Sequence, residues 1–206
     1  MILFPIMIII AWIFIIGFNI LFNINGFEIW YIVMATVVST LAVILIDGIT
    51  ATIVRLLPKK WFNPFSKRFK VYKWEKSFYQ KIGIKKWKDL VPEIGHFTGF
   101  RKNEIKDPTN NEYIERFLLE VCYGRVGHFS SFITGFLIMF IFPLSQFVNF
   151  GLPVALVNIL MNAMSWTILR YNTPKLMALY EHNKRNKLKP ANINNQQQGG
   201  CKEIKP

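Results

Sequence analysis

The chain has 206 residues, 52% of them hydrophobic, and carries a formal net charge of +13. Its apolar residues lie in long uninterrupted blocks, a pattern that predicts membrane spans and excludes an ordinary soluble domain. The two cysteines, Cys122 and Cys201, stand far apart and fit neither a disulfide framework nor a zinc motif, so no metal site is predicted.

Two membrane spans are predicted in residues 1–57. The first, residues 1–22, has no charged side chain and lacks the basic start and small-residue cleavage site of a signal peptide, so we retain it as a span. The second runs from about Ile29 to Leu57 and contains one acidic residue, Asp47. A carboxylate inside a span needs a partner or water. Asp47 could line an active-site cavity or pair with a basic residue of another helix, and we favour a structural ion pair.

The segment at residues 58–127 interleaves aromatic with basic side chains. Tryptophan and tyrosine favour the headgroup zone and lysine stems reach out to water, so we predict one or two interfacial helices on the cytoplasmic leaflet. A further helix is predicted to begin near Thr109 or Asn110, either of which can cap it, and to continue through His128 into the third span.

The stretch from Phe129 to Leu169 contains no Asp, Glu, Lys or Arg. One helix of that length would measure about 60 Å against a bilayer core of about 30 Å, so two spans are predicted. We place their turn at NFGLP, residues 149–153, because Gly and Pro break helices. The hairpin occupies residues 128–176, and the polar tail, residues 177–206, is predicted to be disordered.

The predicted fold is therefore an all-α integral membrane protein with four transmembrane helices and a basic, aromatic-rich interfacial helical segment between spans 2 and 3. All 25 Lys and Arg residues lie between Arg55 and Arg125 or from Arg170 onward. The positive-inside bias then places both termini and the middle segment on the cytoplasmic side of the cell membrane. The positive charge is assigned to anionic lipid headgroups rather than to nucleic acid.

Ionisable and amide residues near the predicted spans are candidates for a site. Glu120 and His128 share a helix face but stand roughly 12 Å apart, so they cannot hydrogen-bond directly and each needs a partner from another element. From spacing alone we favour a lysine partner for Glu120, whereas His128 is either a general base or an interfacial residue with a polar tip. Asn158 and Asn162 project from one face of the fourth span, where amides usually bind across a helix bundle. Arg170 is expected at the inner end of a span in any case.

Four blocks of the chain carry a family resemblance: KWE (73–75), IKKWKDLVPEIG (84–95), the pair Glu120 and His128, and RYNTPKL (170–176). Together they resemble the glycosyl-4,4'-diaponeurosporenoate acyltransferase family, small membrane proteins of Gram-positive bacteria that esterify a sugar hydroxyl of a glycosylated carotenoid acid. The resemblance covers about Val71 to Leu176. Two positions depart from the family pattern, which has an acidic residue at Arg125 and a glutamine at Leu169. The matching positions are Trp87, Lys88, Pro92, Glu120, His128, Asn162, Arg170, Tyr171, Asn172 and Pro174.

The resemblance implies an O-acyltransferase that moves a fatty acyl group from a thioester, with acyl-CoA as co-substrate, to a hydroxyl of a glycosylated lipid or terpenoid. His128 would be the base, and Glu120 would orient a neighbour or pair with Arg170. No metal or bound cofactor is required. Residues 59–88 would hold the phosphates of the donor. The substrate-binding candidates are Arg170, Tyr171, Asn172, Asn162, Trp87 and Lys88.

Two other functions fit the same features. One is a membrane transferase that acts on a polyprenyl-linked sugar or a phospholipid headgroup. The other is a non-catalytic membrane scaffold that binds anionic lipid and a partner enzyme. A scaffold should tolerate alanine at His128 and Arg170, whereas an acyltransferase should lose turnover.

Overall fold

The computed structural model describes residues 3–22, 26–91 and 105–199, with side chains up to Asn186 except that of Ser145. Within these residues the regular structure is entirely helical. The α-helices, in chain order, are α1 (Leu3–Leu21), α2 (Ile29–Leu56), α3 (Lys73–Lys81), α4 (Ile84–Trp87), α5 (Asn111–Thr134), α6 (Leu144–Gln146) and α7 (Leu152–Gly199).

Three helical segments are long and apolar enough to cross a membrane: α1, α2, and residues 147–186, which include the first part of α7. A helix satisfies all of its own backbone hydrogen bonds, which lipid cannot do, so apolar runs of this length become helices. Side chains such as Phe14 and Leu45 remain 73% and 64% exposed on the outer surface, where lipid would cover them. These segments correspond to predicted spans 1, 2 and 4.

The predicted third span lies in α5 and in the 3-10 turn Gly135–Phe140 that continues it. The first half of α5 carries charged residues, including Glu120 and Arg125, and α5 is not among the three candidate spans. It packs against both α2 and α7 in the centre of the bundle. The membrane crossing of this helix therefore stays a prediction.

The predicted turn at NFGLP, residues 149–153, is wrong. The chain reverses at residues 141–143, and NFGLP lies in a π-helical turn, Phe147–Gly151, that leads directly into α7. Gly151 is needed for packing, because an added Cβ would lie 2.6 Å from the Phe147 ring. Pro153 has no N–H to donate to the Asn149 carbonyl four residues earlier, and the Asn19 amide donates to that carbonyl instead, at 3.2 Å.

Helix α7 continues without a break through the RYNTP run. The hydroxyl of Thr173 donates to the Leu169 carbonyl at 2.8 Å, which keeps the helix hydrogen-bonded on the turn before Pro174. The part of the predicted disordered tail up to Asn186 is helical, since Tyr180 packs on Phe65 at 5.1 Å and Asn183 contacts the middle segment.

The bundle has two chemically different ends. At one end the Leu3 N–H donates to the Leu90 carbonyl, so the start of α1 lies beside the basic middle segment. At the other end the Tyr31 hydroxyl donates to Gln146 at 2.7 Å, close to the chain reversal. The described residues near the second end, 26–31 and 141–151, contain no Lys or Arg, so the helices run between a basic end and an end without basic residues.

Candidate active site

Helices α2, α5 and α7 bring four polar side chains together: Asp47, His128, Asn158 and Asn162. The Asn162 amide nitrogen lies 3.0 Å from Asp47 Oδ2, and that of Asn158 lies 3.3 Å from Asp47 Oδ1. On its other side, Asn162 Oδ1 lies 2.8 Å from His128 Nδ1. The result is a continuous hydrogen-bonded chain from a carboxylate through an amide to an imidazole.

This chain determines which histidine nitrogen carries the proton. A carboxylate accepts hydrogen bonds, so the NH₂ group of Asn162 must face Asp47 and its carbonyl oxygen must face His128. A carbonyl oxygen also only accepts, so Nδ1 of the neutral imidazole carries the hydrogen and donates it to Asn162. The lone pair is then on Nε2, the nitrogen that can take a proton from a substrate.

Asn158 and Asn162 reach this position because they lie one helical turn apart on α7, as the sequence predicts. Each is only 6% exposed. The Asn162 amide nitrogen also lies 2.9 Å from Asn158 Oδ1 and 3.1 Å from the Asn158 carbonyl. These contacts fix the amide orientation on which the histidine tautomer depends.

Gly135 permits the close approach of α7 to the end of α5. A Cβ added at this glycine would lie 2.6 Å from Asn158 Nδ2 and 3.6 Å from its Cγ. The amide cannot move away freely, since the same nitrogen donates to Asp47.

Gly135→Ala is therefore expected to displace Asn158 and to lower turnover by about tenfold or more, the effect of losing one hydrogen bond to a carboxylate, about 1.5 kcal/mol. Gly127→Ala, on the preceding helix α5, is the matched control, because its Cβ would meet nothing within 4 Å. The initial rate of each variant, at equal folded protein, is the measurement. Equal rates for both variants would mean that Asn158 is not needed for the reaction.

A second buried polar cluster lies where α3 meets α7. The guanidinium of Arg170 donates through Nε and Nη2 to the two oxygens of Glu75, at 2.7 and 2.5 Å. The Tyr79 hydroxyl and the Tyr72 backbone N–H also donate to this carboxylate, at 2.6 and 2.8 Å. Glu75 is only 3% exposed. It caps the first turn of α3 and attaches that helix to α7.

The surroundings shift the pKa of two residues in this cluster. Burial alone would raise the pKa of Glu75, but hydrogen bonds from Arg170, Tyr72 and Tyr79 outweigh it and lower the pKa from 4.5 to about 2. Burial, together with the hydrogen bond to Glu75, raises the pKa of Tyr79 from 10.0 to about 12. Both shifts keep Glu75 ionised and Tyr79 neutral through the physiological range.

A mainly apolar cleft of about 220 Å³ opens beside this ion pair. Trp166 forms part of its wall and lies 4.9 Å from the Arg170 guanidinium. Its lining residues are Tyr72, Trp74, Glu75, Phe78, Tyr79, Trp166, Thr167 and Arg170.

Of the two roles considered for Glu120, pairing with Arg170 is wrong. Glu120 pairs with Arg55 of α2 at 2.9 Å, on a partly exposed surface. Arg170 is occupied by Glu75, and its Nη2 also donates to the Lys70 carbonyl at 3.2 Å. The structure therefore brings His128 and Asn162 together and leaves Glu120 in a separate ion pair.

The other predicted substrate-binding residues are placed as follows. The Tyr171 ring lies edge-on to Tyr79 at 6.0 Å, near the second cluster. Asn172 is half-buried on the next position of α7. The Trp87 indole donates to the Ile82 carbonyl at 3.1 Å, and Lys88 pairs with Asp89. Pro92 lies outside the described residues.

The favoured interpretation of Asp47 as half of an ion pair is also wrong, because two amides hold its carboxylate. The sequence carried a signal for this contact, since an acid in span 2 and two amides on one face of span 4 are both unusual in lipid. Glu75 was visible only as part of the KWE block, and nothing in the sequence indicated its partner.

The fold and this site define a helical membrane protein with a carboxylate–amide–histidine chain at its centre. A family model for glycosyl-4,4'-diaponeurosporenoate acyltransferase (CrtO) matches residues 58–182. The chain belongs to this acyltransferase family. The matched region includes His128, Asn162 and Arg170 but not Asp47. A search of the curated proteins found no match, and a search of the solved structures found none.

Proposed function

We propose that the protein is a membrane O-acyltransferase that moves a fatty acyl group from a thioester, acyl-CoA, to a hydroxyl of a glycosylated lipid or terpenoid. The observation that carries this proposal is the hydrogen-bonded chain from Asp47 through Asn162 to His128. It leaves Nε2 of a neutral imidazole as the proton acceptor, which is what activation of a hydroxyl needs. Family membership supports the acyl-transfer chemistry.

In the proposed reaction, His128 Nε2 takes the hydroxyl proton as the acceptor oxygen attacks the thioester carbonyl. A tetrahedral intermediate forms, with a new C–O bond and its negative charge on the former carbonyl oxygen. Its collapse breaks the C–S bond and restores the carbonyl, and the imidazolium returns the proton to the leaving thiolate. The ester and a free thiol are the products, and His128 ends in its initial state.

Asn162 and Asp47 act in this proposal as positioning residues. Asn162 holds the Nδ1–H tautomer and turns Nε2 toward the substrate, and Asp47 holds the Asn162 amide in the required orientation. Glu120 orders the contact between α2 and α5 through Arg55 and takes no part in proton transfer. Tyr171 and Asn172 are retained as acceptor contacts, and Trp87 and Lys88 as contacts of the middle segment with substrate.

We propose four membrane crossings, with α5 and its 3-10 extension as the third. Support comes from its path: Glu120 pairs near the basic end, and the extension reaches the chain reversal at the end without basic residues. The middle segment would lie on the cytoplasmic leaflet, because it exposes aromatic side chains beside its lysines. Those most exposed between residues 58 and 91 are Trp61, Phe65, Tyr72, Trp74 and Phe78.

Lipid mass spectrometry of host membranes tests this proposal directly. Membranes from cells with the wild-type protein are compared with membranes from cells with an empty vector, after acceptor and acyl donor have both been confirmed present. We expect a lipid heavier by one acyl group only with the protein, and its fragments would name both acceptor and chain. If no such lipid forms, the scaffold interpretation replaces the enzyme.

A further inference from the structure

A second arginine, Arg125, is buried without a carboxylate partner among the described residues. It is 3% exposed and lies on α5. Its Nη1 donates to the Phe69 carbonyl at 2.8 Å, and its guanidinium lies 5.1 Å from the Phe69 ring centroid. Its Nε is buried and has no hydrogen-bond partner among the residues that the structure describes.

The unpartnered nitrogen lies on the edge of the guanidinium that recognises anions. Nε and Nη2 form a planar fork that binds two oxygens of a phosphate or carboxylate at once. In Arg170 the same Nε–Nη2 edge binds the carboxylate of Glu75. In Arg125 the only donor with a protein acceptor, within the described part of the chain, is Nη1 on the opposite edge.

The charges of this region do not balance. The guanidinium of Arg125 interacts electrostatically with Arg170 and with Glu75, so two buried cations share one carboxylate. Burying a charge without compensation is strongly unfavourable, and one additional anionic group would balance the cluster.

Arg125 also lies close to the proposed base. It precedes His128 by three residues on α5, so the two side chains project from neighbouring positions of one helix face, about 4.5 Å apart along the axis. An anion bound at Arg125 would therefore lie beside the reacting hydroxyl rather than at a distant docking surface.

We propose that the Nε–Nη2 edge of Arg125 binds a phosphate group of the lipid acceptor. The inference rests on the proposed acyl transfer. In acyl-CoA the phosphates are separated from the thioester by the pantetheine arm, whereas a phospholipid or phosphoglycolipid carries hydroxyls next to its phosphate. The acceptor is thus the better source for a phosphate so near the base. Because Phe69 covers Arg125, the 3-10 turn Lys67–Phe69 has to move for the phosphate to enter.

The test measures binding rather than turnover, so it remains interpretable if the enzymatic proposal fails. Thermal unfolding of the full-length protein in neutral detergent is followed with four added probes. Phosphatidylglycerol is compared with a glucosyl diacylglycerol that lacks phosphate, and palmitoyl-CoA is compared with S-palmitoyl pantetheine. The variants are Arg125→Gln, Arg125→Lys and the matched control Arg68→Gln, which removes one exposed charge from the neighbouring turn.

We expect phosphatidylglycerol to raise the wild-type Tm more than the glucolipid does, because the glucolipid can enter the acceptor site but has no phosphate for Arg125. Arg125→Gln should weaken this binding at least tenfold, while its Tm without lipid equals or exceeds that of wild type, because an uncompensated charge has been removed. Arg125→Lys keeps the charge but not the fork and should bind with intermediate affinity. It also serves as the informative variant if Arg125→Gln does not fold. Arg68→Gln should behave as wild type.

Four results would overturn the proposal. Arg125→Gln could bind phosphatidylglycerol as tightly as wild type. Without lipid, the Tm of Arg125→Gln could fall below that of wild type while the Tm of Arg125→Lys does not. That result would show that Arg125 is a cation needed for stability. A loss of binding in Arg68→Gln equal to that in Arg125→Gln would indicate general attraction to the basic surface. A Tm rise specific to palmitoyl-CoA would overturn the assignment to the acceptor and place a donor phosphate at Arg125.

Discussion

Replacing His128 with alanine is expected to lower acyl transfer by about 10²–10⁴-fold, the contribution of a well-placed general base. The physical reason is that, among the described residues, only the His128 side chain is bound to the carboxylate–amide chain of α2 and α7 and offers a nitrogen that can accept a proton. The measurement is the initial rate of ester formation in membranes that contain equal amounts of folded protein, with the acceptor identified by mass spectrometry.

His182→Ala is the matched control, because His182 is exposed and hydrogen-bonds only to Asn186 within the described residues. It should leave the rate unchanged. Asn162→Leu keeps the imidazole but removes its orienting acceptor, so its rate should lie between those of wild type and His128→Ala. A rate in His128→Ala within a few-fold of wild type would exclude His128 as the base.

Replacing Glu75 with alanine is expected to destabilise the protein by about 3–5 kcal/mol, the usual effect of removing one partner of a buried ion pair. The change leaves Arg170 and the Tyr79 hydroxyl without the carboxylate that both contact, and it detaches α3 from α7. Unfolding in detergent with added denaturant is the measurement. Glu115→Ala, which removes an exposed acid from α5, should change stability by less than about 0.5 kcal/mol.

The same carboxylate predicts a loss of stability in acid. Its pKa falls from 4.5 in the unfolded chain to about 2 in the folded protein, so the stabilisation is fully present above pH 4.5 and is lost as the pH falls toward 2. The shift corresponds to on the order of 3 kcal/mol. Glu75→Gln cannot titrate, so its stability should change less over this interval. Parallel acid profiles for the two proteins would show that Glu75 does not contribute this stability.

Several features of the fold follow from local sequence. Apolar runs at residues 1–22 and 29–57 predicted helices that the structure contains, since a chain in lipid has few alternatives to a helix. The cap at Asn110 was also readable, and its side chain accepts hydrogen bonds from the backbone at Glu112 and Tyr113. The position of the chain reversal could not be read from the sequence. Gly151 and Pro153, which predicted a break, lie instead in and just after a π-helical turn that continues into α7.

The sequence by itself determined a helical membrane protein and the family blocks, and it named His128 and Asn162 as candidate site residues. It also showed that Asn158 and Asn162 share a face, because helical spacing is a local property. Only the tertiary structure decided that Asp47 meets two amides, that Glu120 pairs with Arg55, and that Glu75 takes Arg170. Each of these contacts joins residues at least 65 positions apart. Which of several charged partners such a residue meets depends on how the helices pack, and short-range periodicity does not contain that information.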